Sequence, residues 1–134
     1  MISTLRIAPL LAVPLTIFVL ASLTSIDWTL ATAFELDMVS GAHWAISYGE
    51  FMVFFSLLIL FVEIVKSVNT EAREIINHGL SMVIALVCII LFVTMSAFTN
   101  SAFFLLTTMT VIDVVAGFVI TIIAARRDIG TQSP

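Results

Sequence analysis

Residues 79–125 read GLSMVIALVCIILFVTMSAFTNSAFFLLTTMTVIDVVAGFVITIIAA. Two long apolar runs, 79–98 and 102–125, flank a short polar turn over residues 99–101. A hydrocarbon core of about 30 Å is crossed by about 20 helical residues. Each run reaches that length, and so short a connection makes the two helices antiparallel neighbours. The stretch therefore predicts a packed pair of transmembrane helices.

The remainder of the chain extends this pattern toward the N-terminus. Of the 134 residues, 61% are hydrophobic and only 10% are charged, whereas soluble domains average about 25% charged. This composition excludes a soluble globular domain, a disordered chain and a disulfide scaffold. We predict an all-α integral membrane protein, an antiparallel four-transmembrane-helix bundle that forms a single domain. Its parts are helices at about 7–26, 45–65, 79–98 and 102–125, an outer loop at 27–44 and a cytoplasmic link at 66–78.

The few basic residues predict how the bundle is oriented. All of them fall on one side of the predicted membrane: Arg6, Lys66, Arg73, Arg126 and Arg127. The opposite loop, 27–44, contains acidic residues but no Lys or Arg. The positive-inside rule then places both termini in the cytoplasm, and in a bacterium the membrane would be the plasma or inner membrane. The net charge is −4, and without a basic patch we expect no nucleic-acid partner.

The outer loop is the least regular part of the prediction. Trp28, Trp44 and Tyr48 mark its membrane boundary, where amphipathic aromatic rings are enriched. Residues 32–35 match a helix-capping box, with Gly41 as a possible helix end. The loop is therefore expected to form either a short surface helix or an irregular acidic segment.

Acidic residues inside the predicted spans are the first candidates for function. A carboxyl group within a bilayer is costly and usually faces the bundle interior. Asp113 lies near the middle of the fourth helix, and Glu50 lies near the outer end of the second. Glu63 has Lys66 three residues later, so we interpret it as half of a structural ion pair. We predict Asp113 and Glu50 as candidate protonatable, ion-coupling residues.

A stripe of small and polar residues predicts where the third and fourth helices meet. Positions 78, 81, 85, 88 and 92 recur at three- and four-residue steps and share one helical face. Small and hydroxyl-bearing side chains are typical of helix contacts in lipid. A protonated Asp113 bonded to a neighbouring helix is the structural alternative to ion coupling. The candidate helix-packing polar face consists of Ser81, Cys88, Thr110 and Gly117.

The sequence contains no recognisable catalytic, metal-binding or cofactor motif. His43 and His78 are predicted near opposite membrane surfaces, about 30 Å apart, so they cannot share one haem. We expect His78 to pair with Glu74, four residues earlier on the same helix. We expect no metal and no cofactor, and nothing favours an enzyme.

Two functional hypotheses follow from these observations. The first is an accessory, assembly or stabilising subunit that packs in the bilayer against other membrane subunits or itself, since long apolar helices suit lateral packing. The second is a homo-oligomeric small transporter or channel, coupled to protons or cations through Asp113 and Glu50.

Overall fold

The computed structural model of the chain describes residues 8–24, 27–67 and 72–131. In chain order the described elements are α1 (Ala12–Thr24), β1 (Thr32–Asp37), β2 (His43–Ser47), α2 (Tyr48–Ser67), α3 (Ala72–Thr94) and α4 (Ser101–Thr131). Single 3₁₀ turns follow α1, at Trp28–Leu30, and follow α3, at Ser96–Phe98.

Three of the four helices are long and apolar enough to cross a membrane. They are α2 over Tyr48–Ser67, the part of α3 from Ile76 to Thr94, and α4 over Ser101–Arg127. This confirms that apolar helices of membrane-spanning length occur near the predicted positions 45–65, 79–98 and 102–125. Helix α3 begins at Ala72, before its apolar run, so the second half of the predicted link at 66–78 is helical.

The first helix is shorter than the predicted span over 7–26. It has 13 residues, and residues 7, 25 and 26 lie outside the described residues. Pro9 begins a tight turn, in which the Ala12 N–H donates to the Pro9 carbonyl at 3.1 Å. Pro14 lies in the first turn of α1, where a missing N–H is tolerated because it would lack an intrahelical partner. The two prolines therefore set where α1 begins.

The predicted outer loop contains a β-hairpin, so both expectations for it, a surface helix or an irregular segment, were wrong. Strands β1 and β2 pair antiparallel, with Phe34 opposite Ile46 and Leu36 opposite Trp44. The alternation of apolar and polar residues in Thr32–Asp37 has the period of a strand, and this period overrides the capping-box match. Gly41 does not end a helix but closes the hairpin turn at φ +82°, a conformation that glycine adopts at little cost.

Helix α4 is the centre of the bundle. It packs against α2 on one side and α3 on the other, while α1 lies against α2. The short connection between α3 and α4 does make them neighbours, as predicted. We call the end with the hairpin and the α3–α4 turn the hairpin end, and the end where α2 finishes and α3 begins the link end.

The interior near the hairpin end is filled by stacked aromatic rings. The Phe103 ring centroid lies 4.9 Å from that of Phe18 and 4.8 Å from that of Phe98. Trp28 meets Phe18 edge-on at 4.8 Å. These four side chains form what we call the aromatic layer. A second, smaller apolar cluster nearer the link end joins Leu11, Leu60 and Met109.

Candidate functional site

Antiparallel packing brings six polar side chains together near the link end of the bundle. They come from the last turns of α2, the first apolar turns of α3 and the middle of α4. We call this group the polar cluster, and its members are Glu63, Lys66, Asn77, His78, Ser81 and Asp113. Ionisable groups buried among helices that are long and apolar enough to cross a membrane are functional candidates by default, so this cluster is the candidate site.

Glu63 is the anchor of the polar cluster. Its side chain is completely buried, and its carboxylate accepts three hydrogen bonds. Oε2 accepts from the Leu10 backbone N–H at 3.0 Å, and Oε1 accepts from Asn77 Nδ2 at 2.7 Å and Lys66 Nζ at 3.3 Å. The donors belong to the turn before α1, to α2 and to α3. One carboxylate therefore joins three segments of the chain.

Lys66 completes this arrangement from the edge of the bundle. Its ammonium group also donates to the Ala8 carbonyl at 3.3 Å and to Asn77 Oδ1 at 3.4 Å. The predicted pair of Glu63 and Lys66 is confirmed, but sequence reasoning missed Asn77 and the Leu10 N–H. A buried carboxylate requires several donors, and that rule was the available signal that one lysine would not suffice.

Asp113 lies on α4 beside the same group. The residue is 3% exposed, and its carboxyl interacts electrostatically with Ser81, Glu63, His78 and Lys66. Within the described part of the chain, the buried atoms Ser81 Oγ and His78 Nε2 nevertheless lack a hydrogen-bond partner in good geometry. Asp113 thus lies among polar groups that can still form further hydrogen bonds.

The imidazole of His78, on α3, packs closely against two residues of α4. Its imidazole lies against the backbone of Gly117, and a methyl group added there would overlap the ring. The Phe118 ring meets it edge-on, with centroids 5.1 Å apart. The side chain of Glu74, the expected partner of His78, lies outside the described residues.

The residues of the predicted packing face all lie buried along α3 and α4. Ser81 is beside Asp113, and Gly117 is beside His78. Cys88 interacts with the Thr110 hydroxyl rather than with Asp113. That hydroxyl also donates to the Thr107 carbonyl at 2.7 Å. Of the residues on this predicted face, the structure brings Ser81 to the Asp113 carboxyl.

Glu50, the second predicted ion-coupling residue, lies outside the polar cluster. It is exposed, and its Oε2 accepts from the Ser47 N–H at 2.8 Å and the Ser47 hydroxyl at 3.0 Å. The Glu50 N–H donates back to Ser47 Oγ at 3.2 Å. This is a capping box at the start of α2, about 20 Å along that helix from Glu63. The structure therefore brings Glu63, not Glu50, to Asp113.

The hairpin end has polar residues of its own, but they do not converge on a metal site. His43 and Asp37 form an exposed ion pair across the hairpin. Among the residues that the structure describes, no three His, Cys, Asp or Glu side chains are placed to hold a metal ion.

Buried, mainly apolar side chains separate the polar cluster from the hairpin end. Asp113 lies ten residues beyond Phe103, which is about 15 Å along α4. Between them, the buried positions of α4 are Leu106, Thr107, Met109 and Thr110. Each of the two threonines is bonded to the helix backbone. Among the described residues, the buried side chains of α4 thus form no continuous polar path from Asp113 to the hairpin end.

Comparisons with known proteins do not assign this arrangement. No known protein family matches the chain, and neither does any curated protein or any solved structure. The chemistry of the polar cluster is therefore argued from its own geometry.

The first prediction concerns the charge on Lys66. Replacing Lys66 with Met leaves the buried Glu63 carboxylate without its cation, and we expect a loss of about 3 kcal/mol in the free energy of unfolding. The double variant Lys66→Met/Glu63→Gln removes both charges and should recover at least half of that loss. Unfolding in mixed detergent and SDS micelles measures both. Equal stability of Lys66→Met and the parent protein would contradict a stabilising ion pair between Lys66 and Glu63.

The second prediction compares two glycines. Gly117→Ala should cost about 2 kcal/mol because the new methyl group displaces the His78 ring. Gly79→Ala is the matched control: its Cβ would meet nothing within 4 Å, so helix propensity makes it neutral or stabilising by up to about 1 kcal/mol. The same unfolding assay applies. If the two variants behave alike, His78 does not pack on Gly117, whereas rescue of Gly117→Ala by His78→Ala supports the contact directly.

Proposed function

We propose that this chain is an accessory, assembly or stabilising subunit of a larger membrane complex. The observation that carries the proposal is the use of the buried polar groups. Glu63, Lys66 and Asn77 bond to one another and to the start of α1, while the aromatic layer fills the other half. Such an interior holds helices together and, within the part of the chain that the structure describes, leaves no continuous polar passage along α4.

The outward surface of the bundle supports the same role. In the most apolar stretches of the α2, α3 and α4 spans, only 28%, 22% and 39% of the residues are buried inside the protein. Most of these helix surfaces therefore face outward and are apolar. In a bilayer they are covered either by lipid or by other helices, so lateral association with a second membrane subunit needs no rearrangement of the fold.

The proposed orientation follows from charge. Lys66 ends α2, and Arg126 and Arg127 lie near the end of α4, so all three belong to the link end. No Lys or Arg occurs from residue 27 to residue 65. Under the positive-inside rule the link end and both termini face the cytoplasm, and the hairpin lies on the opposite side of the membrane.

A second candidate function, proton or cation coupling, is favoured by one observation. Among the described residues, two buried atoms near Asp113, Ser81 Oγ and His78 Nε2, have no hydrogen-bond partner in good geometry, although Ser81 interacts with the Asp113 carboxyl. A proton or a small cation bound between them and the Asp113 carboxyl would use that capacity. In this version Glu63 takes the role that the sequence suggested for Glu50. Passage across the membrane would then require an interface between copies, since the described residues of α4 form no continuous polar path.

The subunit hypothesis predicts a defined partner. A tagged copy expressed from its native locus, extracted in mild detergent and analysed by native mass spectrometry, should carry a second membrane protein at fixed stoichiometry. Deleting the gene should lower the abundance of that protein, because an assembly partner loses its binding surface. A protein that always appears alone, as a monomer or homo-oligomer, with no membrane protein depleted in the deletion strain, would contradict the hypothesis.

The coupling hypothesis predicts a flux that depends on Asp113. In proteoliposomes containing a pH-sensitive dye, the parent protein should dissipate an imposed proton or sodium gradient. Asp113→Asn should abolish that flux, because the amide carries no exchangeable negative charge. Glu35→Gln, on an exposed hairpin position, is the control and should leave it unchanged. Absence of flux in the parent protein, or equal flux in Asp113→Asn, eliminates this candidate.

A further inference from the structure

The β-hairpin has one apolar face and one polar face. Phe34, Leu36, Trp44 and Ile46 lie on the same side, because Phe34 pairs with Ile46 and Leu36 with Trp44. The other side carries Glu35 and the Asp37–His43 ion pair. Phe34 and Trp44 are 52% and 47% exposed. Large apolar side chains on one face of a two-stranded hairpin are stabilised when another apolar surface covers them and removes them from water.

The apolar face of the hairpin continues onto α2. Strand β2 ends at Ser47 and α2 begins at Tyr48, so no linker separates them, and the Tyr48 N–H donates to the Ala31 carbonyl at 2.9 Å. Together they enclose a half-open groove of about 710 Å³, within the range of about 300–1,000 Å³ typical of small-molecule sites. Its large apolar and aromatic walls are Phe34, Trp44, Ile46, Tyr48, Phe51 and Phe54.

The position of the groove indicates which molecule can enter it. Phe51 and Phe54 are exposed on the first turns of α2, a helix long and apolar enough to cross a membrane. With α2 crossing a membrane, the groove lies at the level where that helix emerges from the bilayer. Trp and Tyr are the side chains that favour this level, and lipid acyl chains are the apolar molecules present there.

The charge around the groove restricts the headgroup. Glu50 lines the groove, and both Ser47 hydrogen bonds to its side chain go to Oε2, so Oε1 can accept a further donor. Residues 27–65 contain no Lys or Arg to pair with a phosphate. An amine-bearing zwitterionic headgroup suits this environment, since its cation can meet the Glu50 carboxylate and the faces of Trp44 and Tyr48. An anionic headgroup is repelled.

We propose that the hairpin and the start of α2 form a lateral binding groove for one phospholipid with a zwitterionic, amine-bearing headgroup. One acyl chain lies between the apolar hairpin face and the Phe51 and Phe54 rings, and the amine lies at Glu50. This inference requires the hairpin end to sit at a membrane surface, but it does not require a partner subunit or ion transport.

Tryptophan quenching tests the proposal on the full chain. The protein has two tryptophans, and Trp28→Phe leaves Trp44 as the sole emitter. The variant is reconstituted at high lipid-to-protein ratio in phosphatidylcholine vesicles containing a fixed fraction of acyl-brominated phosphatidylethanolamine or acyl-brominated phosphatidylglycerol. We expect the ethanolamine lipid to quench Trp44 with about a fivefold higher relative association constant, the size of one charge contact in a water-like dielectric.

Two substitutions separate the headgroup contact from the acyl contact. Glu50→Gln keeps a side chain of the same shape and should remove the preference between the two lipids while quenching persists. Phe51→Ser/Phe54→Ser should weaken quenching by both lipids, whereas Phe61→Ser, exposed on the same helix, should not. Circular dichroism and a monodisperse elution profile show that each variant is folded.

Several outcomes overturn the inference. Equal quenching by the two lipids, in proportion to their mole fractions, identifies ordinary surrounding lipid and no binding groove. Trp44 emission that neither brominated lipid alters places the hairpin away from the membrane. Quenching that falls as protein density rises, together with cross-linking through the hairpin, identifies a second copy of the chain as the occupant. Because the assay uses purified protein, it can fail while the subunit hypothesis stands, and the reverse also holds.

Discussion

The arrangement of the bundle depends on one buried carboxylate. Glu63 is completely enclosed, and an ionised group in such surroundings is tolerated only when hydrogen-bond donors surround it. Its donors come from the turn before α1, from α2 itself and from α3. Satisfying one side chain therefore fixes the relative positions of three segments. Apolar contacts between these helices can form in more than one arrangement, whereas these three hydrogen bonds require a particular one.

The two halves of the bundle use different chemistry around the same central helix. Near the hairpin end, α4 contributes Phe103 to the aromatic layer, where ring packing supplies cohesion without polar groups. Toward the link end the same helix contributes Asp113, beside Ser81, Glu63 and His78. Because the polar half reaches only one end of the molecule, a structural role for the bundle is compatible with a protonatable site in that half.

Length and hydropathy were sufficient to predict the three long helices, because crossing a bilayer imposes a requirement that composition alone can reveal. The hairpin was not predicted, since Thr32–Asp37 carries both a strand alternation and a capping-box match, and the real capping box lies at Ser47 and Glu50. Asp113 was chosen as a candidate from sequence because it is the only charged residue in a long apolar run. The importance of Glu63 was underestimated, because its partners Asn77 and the Leu10 N–H are distant in sequence. Pairs between residues close in sequence can be predicted from their spacing, whereas contacts across the bundle depend on how the helices pack.

The hydrogen bond from the Leu10 N–H to Glu63 has a consequence for biosynthesis. The two residues are separated by 53 positions, so the ribosome has translated all of the hairpin and most of α2 before the acceptor exists. Until then the Leu10 N–H, in the turn before α1, lacks the carboxylate that accepts its hydrogen bond. The contact that holds the segment before α1 can consequently form only after Glu63 has been synthesised.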